Sequence, residues 1–196
     1  MRIENDHYPT PLWMLDCLVD VVDIRGTILD PGAGSRNNIL QYFQNNSCLT
    51  ISNDLYFENY DFNLDATKEE SWLNFGDFDW VVMNPPYTQP DVMEFLKHAI
   101  KYSKVGVAAL LRVTVDEMVM KDQSRCTFWQ KNPYRTTIKM PRYCFSNSSK
   151  TGKPSVDSAY TQWFVWDKRI TVRYRYDPVY YYPHSEIPRF QRSHVA

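Results

Sequence analysis

Leu12, Leu15, Leu18, Val19 and Val22 recur at the three- and four-residue spacing of one helical face, directly after Thr10-Pro11. Threonine is a favoured helix N-cap and proline fits the first helical position, so a helix is expected to start there and close at Gly26. The period then shortens. Thr27-Ile28-Leu29 is a brief apolar run into Asp30-Pro31-Gly32-Ala33-Gly34-Ser35, which predicts a buried strand ending in a turn. Ile39, Leu40 and Phe43 return to helical spacing, and Cys48-Leu49-Thr50-Ile51-Ser52 predicts a second strand ending near Asp54. Thr67-Lys68-Glu69-Glu70 has capping-box spacing ahead of Trp72 and Leu73, the mark of a short helix. Phe78-Asp79-Trp80-Val81-Val82-Met83 predicts a third strand, followed by a helix opening at Pro90-Asp91 and reaching Tyr102. Val105-Gly106-Val107-Ala108-Ala109-Leu110-Leu111 is nearly all apolar, as expected of a strand buried on both faces.

This alternation of strand and helix predicts an α/β doubly wound sheet. Such sheets bind ligands beyond the carboxyl ends of their strands, where the strand order reverses. The turn after Leu29, Asp54 and Asn84 all lie at predicted carboxyl ends and are expected to line one crevice. Beyond Arg112 the regularity weakens. Residues 112–157 mix basic, polar and aromatic groups, with a loop-like stretch at 146–155. Residues 160–166 predict one more strand, and 170–176 alternate enough for another. Pro178, Pro183 and Pro188 point to a tail over 177–196 that wraps the surface or moves. The expected organisation is one domain over 1–176, with 112–157 as a substrate-facing insertion, and a C-terminal tail.

Composition changes this picture in one respect. Hydrophobic content of 43% and charged content of 23% are ordinary for a soluble globular chain. The net charge of −1 hides a division: residues 1–111 hold 7 Lys and Arg against 16 Asp and Glu, and residues 112–196 hold 15 against 7. A basic second half suits a polyanion, nucleic acid foremost, although mutual attraction of the halves or simple solvation would give the same count. Arg112, Arg125, Lys131, Arg135, Lys139 and Arg142 are candidates for phosphate contacts. Arg173, Tyr174, Arg175, Tyr176 and the tyrosines at 180–182 suit a stacking surface for single strands, or strand packing. Cys17, Cys48, Cys126 and Cys144 lack metal-site spacing and fit buried thiols in a reducing compartment, so no metal is expected. No secretory leader or membrane span is visible, which makes a cytoplasmic location the expectation.

The chemistry concentrates at Asn84-Pro85-Pro86-Tyr87. A strand ending in a proline-locked corner presents one amide side chain and one backbone carbonyl, with an aromatic ring beside them. These acceptors suit an exocyclic amino group on a planar base, and the ring suits stacking. Gly32 and Gly34 permit a tight turn with backbone close to a ligand, and Asp54 follows at the spacing of a carboxylate that holds ribose hydroxyls. No Lys-Ser or Lys-Thr pair completes a P-loop, so an adenosine-bearing cofactor without a triphosphate fits better.

With these residues in this order, the chain resembles the S-adenosylmethionine-dependent amino-methyltransferases, especially the small N6-adenine DNA methyltransferases of phage type. Tyr8-Pro9-Thr10-Pro11 is similar to their aromatic-x-Thr-Pro motif at the methionine end of the cofactor. The segment from Leu29 through Asp30, Gly32 and Gly34 is similar to their glycine loop. Asp54 matches the ribose-binding acid, Asp65-Ala66 the segment beside the cofactor adenine, and Asn84-Pro85-Pro86-Tyr87 the catalytic motif. Arg142-Tyr143-Cys144-Phe145 and the 158–166 segment resemble elements flanking the target base. The resemblance implies a Rossmann-like class I methyltransferase fold, with a mostly parallel seven-stranded sheet, an antiparallel C-terminal strand and flanking helices. It implies catalysis by Asn84, Pro85, Pro86 and Tyr87, and cofactor binding by Tyr8, Thr10, Asp30, Gly32, Gly34, Asp54, Asp65 and Asn84. Tyr87, Arg112, Arg142 and Phe145 would meet the base or its strand. The cofactor would be S-adenosyl-L-methionine, leaving S-adenosyl-L-homocysteine, and the partner DNA. The same motif serves enzymes acting on RNA adenine, cytosine N4 or protein glutamine, and a silent nucleic-acid-binding module could share the fold. Arg36 departs from the pattern, standing where many members have a further glycine, and no separate target-recognition domain is expected, which leaves the source of sequence specificity open.

Overall fold

The computed structural model describes residues 9–87, 91–117, 123–141, 160–170 and 179–181, with Gln123 and 179–181 described by backbone alone. Helix α1 (Leu12–Val21) starts one residue later than predicted: Pro11 is the N-cap, with an extended ψ of 140°. Thr10 is therefore not the cap. It is buried, and its carbonyl accepts the Asn38 side-chain amide at 2.8 Å. Leu15, Leu18 and Val22 are buried as expected, but Val19 is 37% exposed and Trp13, Met14 and Cys17 complete the inner face. The helix also stops short of Gly26. That glycine turns the chain (φ 92°) into strand β1 (Thr27–Asp30). A β carbon there would stand 2.1 Å from the Asp79 carboxylate, which accepts the Thr27 amide.

Helix α2 (Asn38–Asn45), strand β2 (Leu49–Ser52), helix α3 (Glu69–Asn74), strand β3 (Trp80–Met83), helix α4 (Asp91–Tyr102) and strand β4 (Gly106–Arg112) follow the predicted alternation. At α3 the N-cap is Lys68 and no capping box forms. Thr67 instead gives its hydroxyl and amide to Asp65, and Leu73 lies outside the core at 67% exposed. Helix α5 (Gln123–Lys131) and strand β5 (Thr136–Lys139) fall in the stretch that had no regular expectation, before strand β6 (Thr161–Asp167). Helix α5 shows no apolar stripe to read, because its fixed partners are two adjacent aromatics, Phe128 and Trp129. Strand β7 (Val179–Tyr181) lies within the predicted tail and pairs in parallel with β5, so this part of it joins the sheet. The strand expected over 170–176 lies outside the described residues beyond Ile170.

The sheet has seven strands in the order β2-β1-β3-β4-β6-β5-β7. Strand β6 runs antiparallel to both β4 and β5, and the other pairs are parallel. Side chains alternate between two cores. Trp80, Val82, Ala108, Leu110, Trp163 and Val165 pack beneath α1 and α2, whereas Val81, Met83, Val107, Ala109, Leu111 and Phe164 pack beneath α3, α4 and α5. Three buried indoles anchor the layers by donating to backbone carbonyls: Trp163 to Met14, Trp72 to Ala66 and Trp166 to Asn132.

Gly106 begins β4 where neighbouring chains crowd it: a β carbon would lie 2.5 Å from the Trp166 carbonyl oxygen and 2.5 Å from the Trp80 ring. Neither group is a flexible chain end. Gly106→Ala should therefore destabilise the protein by about 2–3 kcal/mol, measured by urea unfolding. An unchanged unfolding midpoint would contradict this account of the β3–β4–β6 packing.

Candidate active site

Parallel pairing of β1, β2 and β3 brings their carboxyl ends to one edge of the sheet. The order reverses at β1, with β2 on one side and β3 on the other. Helix α2, which follows β1, packs on one face, and α4, which follows β3, packs on the opposite face. The two connections diverge, and a cavity of about 320 Å³ opens between them. Thr10, Asp30, Gly32, Gly34, Asp54, Asp65, Asn84 and Pro86 all line it, so the crevice expected from strand ends is one continuous site. Tyr8, Arg142 and Phe145 lie outside the described residues.

A residue that sequence reasoning missed braces this site. Asn53 is fully buried, and its amide donates to the carbonyls of Pro31 at 2.8 Å and Leu64 at 3.0 Å. Its side-chain oxygen accepts the Leu64 amide at 2.8 Å. Its backbone bonds Asp30 and Ala33, and it bridges in parallel to Phe62. Asn53 thus holds the glycine loop and the 62–66 segment at fixed separation. Its position next to Asp54 was the only signal available in the sequence.

Asp54 holds the loop as well. One carboxylate oxygen accepts the Gly34 amide and the other the Tyr56 amide, both at 2.8 Å. Each oxygen retains lone-pair capacity for a hydroxyl donor. The Tyr60 hydroxyl donates to the Gly34 carbonyl. Gly34 needs to be glycine because its φ is 64°. Gly32 does not: a β carbon there would meet only Phe95, at an ordinary 3.6 Å. What that β carbon would take up is room in the cavity.

Asp30 is 1% exposed, and its carboxyl accepts the Gly32 amide at 3.1 Å. Burial dominates its titration and pushes its pKa up to about 8; the Gly32 bond opposes this and the charge of Asp54 adds to it. Near neutral pH the group is largely protonated.

Asn84 sits just past β3, with Pro85 buried behind it. Neither Pro85 nor Pro86 has an N–H, so the corner offers acceptors unopposed by backbone donors. The Tyr87 hydroxyl donates to the Asn84 side-chain oxygen at 2.6 Å, which turns that oxygen rather than the NH₂ toward the ring. Tyr87 and Arg112 line a second hollow of about 280 Å³ with Val92, Leu111, Thr114, Val115, Glu117 and Arg125. The Arg112 guanidinium lies 5.2 Å from the Tyr87 ring centroid, in cation–π contact. Arg125 donates to the carbonyls of Thr114 and Val115, so its charge is tied to the wall of that hollow. Lys131 ends α5 and Lys139 ends β5, and neither lines either hollow. Among the described residues no cluster of three His, Cys, Asp or Glu side chains could hold a metal, and no helix is long and apolar enough to cross a membrane.

No protein-family model matches the sequence, and no curated protein matches it. Solved structures do match the fold. One is assigned as a class I S-adenosylmethionine-dependent methyltransferase from Listeria monocytogenes: TM-score 0.62 and 13% identity, over 98% of this chain and 71% of that one. Another is the methyltransferase subunit of a type I restriction-modification system from Streptococcus thermophilus: TM-score 0.64 and 15% identity, over 95% of this chain and 53% of that one. This chain therefore spans about half the length of the second protein. The chain has the class I methyltransferase fold, a doubly wound α/β sheet with one strand reversed, as the sequence implied.

Two stability measurements check this site. Asn53→Ala removes three side-chain hydrogen bonds from a buried network and should cost about 3 kcal/mol in urea unfolding. A loss within error of zero would show that the brace carries no load. Asp30 binds its proton more tightly folded than unfolded, so its contribution to stability is complete below the unfolded pKa of 3.8 and declines as pH rises toward about 8. The stability of Asp30→Asn relative to the parent protein should therefore rise from pH 4 to pH 8 and level off above. A pH-independent difference between the two proteins would refute the raised pKa.

Proposed function

We propose that this protein transfers a methyl group from S-adenosyl-L-methionine to the exocyclic N6 amino group of adenine in DNA. The observation that carries the reading is the meeting of two features in one cavity. Asn84 and Pro86 of the Asn84-Pro85-Pro86-Tyr87 corner line the same cavity as the loop of Asp30, Gly32 and Gly34, and Tyr87 lines the second hollow. The restriction-modification subunit that shares the fold supports a nucleic-acid substrate, as does the basic second half of the sequence.

The residues present fit the cofactor. Gly32 leaves free the room that a side chain would fill, and Asp54 has lone pairs for ribose hydroxyls. Asp65 and Ala66 line the cavity beyond the ribose acid, where an adenine ring would lie, and Asp30 offers a buried carboxyl to a cationic group. When bound, the cofactor supplies an electrophilic methyl group on a sulfonium.

The protein's own contribution is to make an aromatic amine nucleophilic. Such a nitrogen attacks poorly because its lone pair is delocalised into the ring. The Asn84 side-chain oxygen accepts the Tyr87 hydroxyl with one lone pair and has a second for an amine N–H. The Pro85 carbonyl takes the other N–H. Holding both hydrogens draws the nitrogen toward tetrahedral character and aims its lone pair along one line. These acceptors also stabilise the positive charge that develops on nitrogen, the reverse of an oxyanion hole. Tyr87 would stack on the base, and Arg112, whose guanidinium lies over that ring, would contact a phosphate. A base paired within a duplex could not reach this corner, so it must be flipped out or unpaired.

The test incubates the protein with labelled S-adenosylmethionine and, separately, duplex DNA, single-stranded DNA, RNA and protein extract, then digests and identifies the methylated product. N6-methyladenine from DNA is expected. Label confined to RNA or protein, or no transfer at all, would overturn the substrate assignment. Asn84→Ala should lower transfer by about 100-fold or more with cofactor affinity nearly unchanged. Gly32→Ala should do the opposite, weakening cofactor binding in a protein whose melting temperature is close to the parent's. Full activity of Asn84→Ala would refute the amine-clamp mechanism.

A further inference from the structure

Arg112 is the last residue of β4 and the one exposed position on that strand. Its backbone is paired with Thr161 of β6, so the sheet fixes where the residue stands and leaves its long side chain to move. The guanidinium lies 5.2 Å from the Tyr87 ring centroid, and no described carboxylate forms an ion pair with it. Both residues line the hollow of about 280 Å³, where the other guanidinium, that of Arg125, is held by the carbonyls of Thr114 and Val115. Of these two cations, Arg112 is the one held through a ring face. The ring itself is pinned. The Tyr87 hydroxyl donates to Asn84 Oδ1 at 2.6 Å, and turning the ring aside would break the bond that orients this acceptor.

A base that stacks on Tyr87 from this hollow must displace the guanidinium, because the ring is pinned and one face cannot hold both. We propose that Arg112 selects the form of the substrate: it covers Tyr87 until a base arrives on a sugar-phosphate chain, then passes from the ring to a phosphate. This role rests on the reading of Asn84 and Tyr87 as the amine site and adds to it a preference for a strand over a free nucleoside. A nucleoside breaks the cation–π contact and offers the guanidinium no anion in exchange. A polynucleotide brings a phosphate, and charge-assisted hydrogen bonds to it are stronger than contact with an exposed ring. Arginine suits both stations, since its flat guanidinium stacks on a ring and its fork of donors matches phosphate oxygens. One side chain thereby opposes small adenine compounds and favours a strand.

The test sets a strand against a nucleoside at saturating S-adenosylmethionine, which keeps the nucleoside out of the cofactor cavity. KM is measured for an oligonucleotide that the parent protein methylates, and Ki for 2′-deoxyadenosine competing with it. Arg112→Ala should raise the oligonucleotide KM by about tenfold. It should lower the deoxyadenosine Ki by about two- to fivefold, the worth of the cation–π contact no longer broken. The dependence of the oligonucleotide KM on salt should also fall by about one phosphate's share. Arg112→Lys, which keeps the charge without the fork, should fall between parent and Arg112→Ala in both constants. A merely structural role for Arg112 would move both constants upward together. Inhibition by deoxyadenosine that is unchanged or weaker in Arg112→Ala, or an unchanged oligonucleotide KM, would overturn the selecting role. Absence of transfer by the parent protein to any oligonucleotide would instead overturn the proposed function, and the role of Arg112 with it.

Discussion

The buried Asn53 side chain is the constraint on which the site depends. A glycine loop and an irregular segment have no ladder to hold them, and their backbone groups must still find partners once they leave water. Asn53 supplies these from a single amide, donating to Pro31 and Leu64 and accepting from Leu64. Its own position is set by backbone bonds to Asp30 and Ala33 at the end of the β1–β2 pair. The regular sheet thereby extends its geometry into the part of the chain that has none. Asp54 continues the scheme by holding Gly34, so one dipeptide both spaces and shapes the cavity wall.

The sheet contributes something different, namely divergence. Helix α2 leaves β1 toward one face and α4 packs on the other after β3, so the two helices diverge from the gap at the strands' carboxyl ends. The gap collects carboxylates, and burial answers by holding Asp30 protonated.

Much of the fold was legible because β1, β3 and β4 are nearly continuous buried runs and α2 and α4 have clean polar faces. The site was legible for a related reason: Asp30, Asp54 and Asn84 each follow a readable strand, so predicting the strands predicted their convergence. Legibility failed where the determining contact is distant. Helix α5 is held through the aromatic cluster of Trp129, Tyr134, Phe164 and Trp166, which no local period announces. Thr67 matched a capping box and went to Asp65 instead, since a local side-chain turn satisfied it first. Strand β7 pairs with β5, about forty residues away in sequence.

The sequence by itself determined the alternation of strand and helix, the strand-end positions of the acids and the proline corner with its acceptor chemistry. Local period and turn chemistry suffice for these, because each depends on neighbours a few residues apart. Only the tertiary structure decided that Asn53 braces the loop, that the Tyr87 hydroxyl orients Asn84 and that Arg112 covers the Tyr87 ring. Those relations come from strand order and from which backbone groups burial leaves in need of partners, and neither is encoded in any short stretch of the chain.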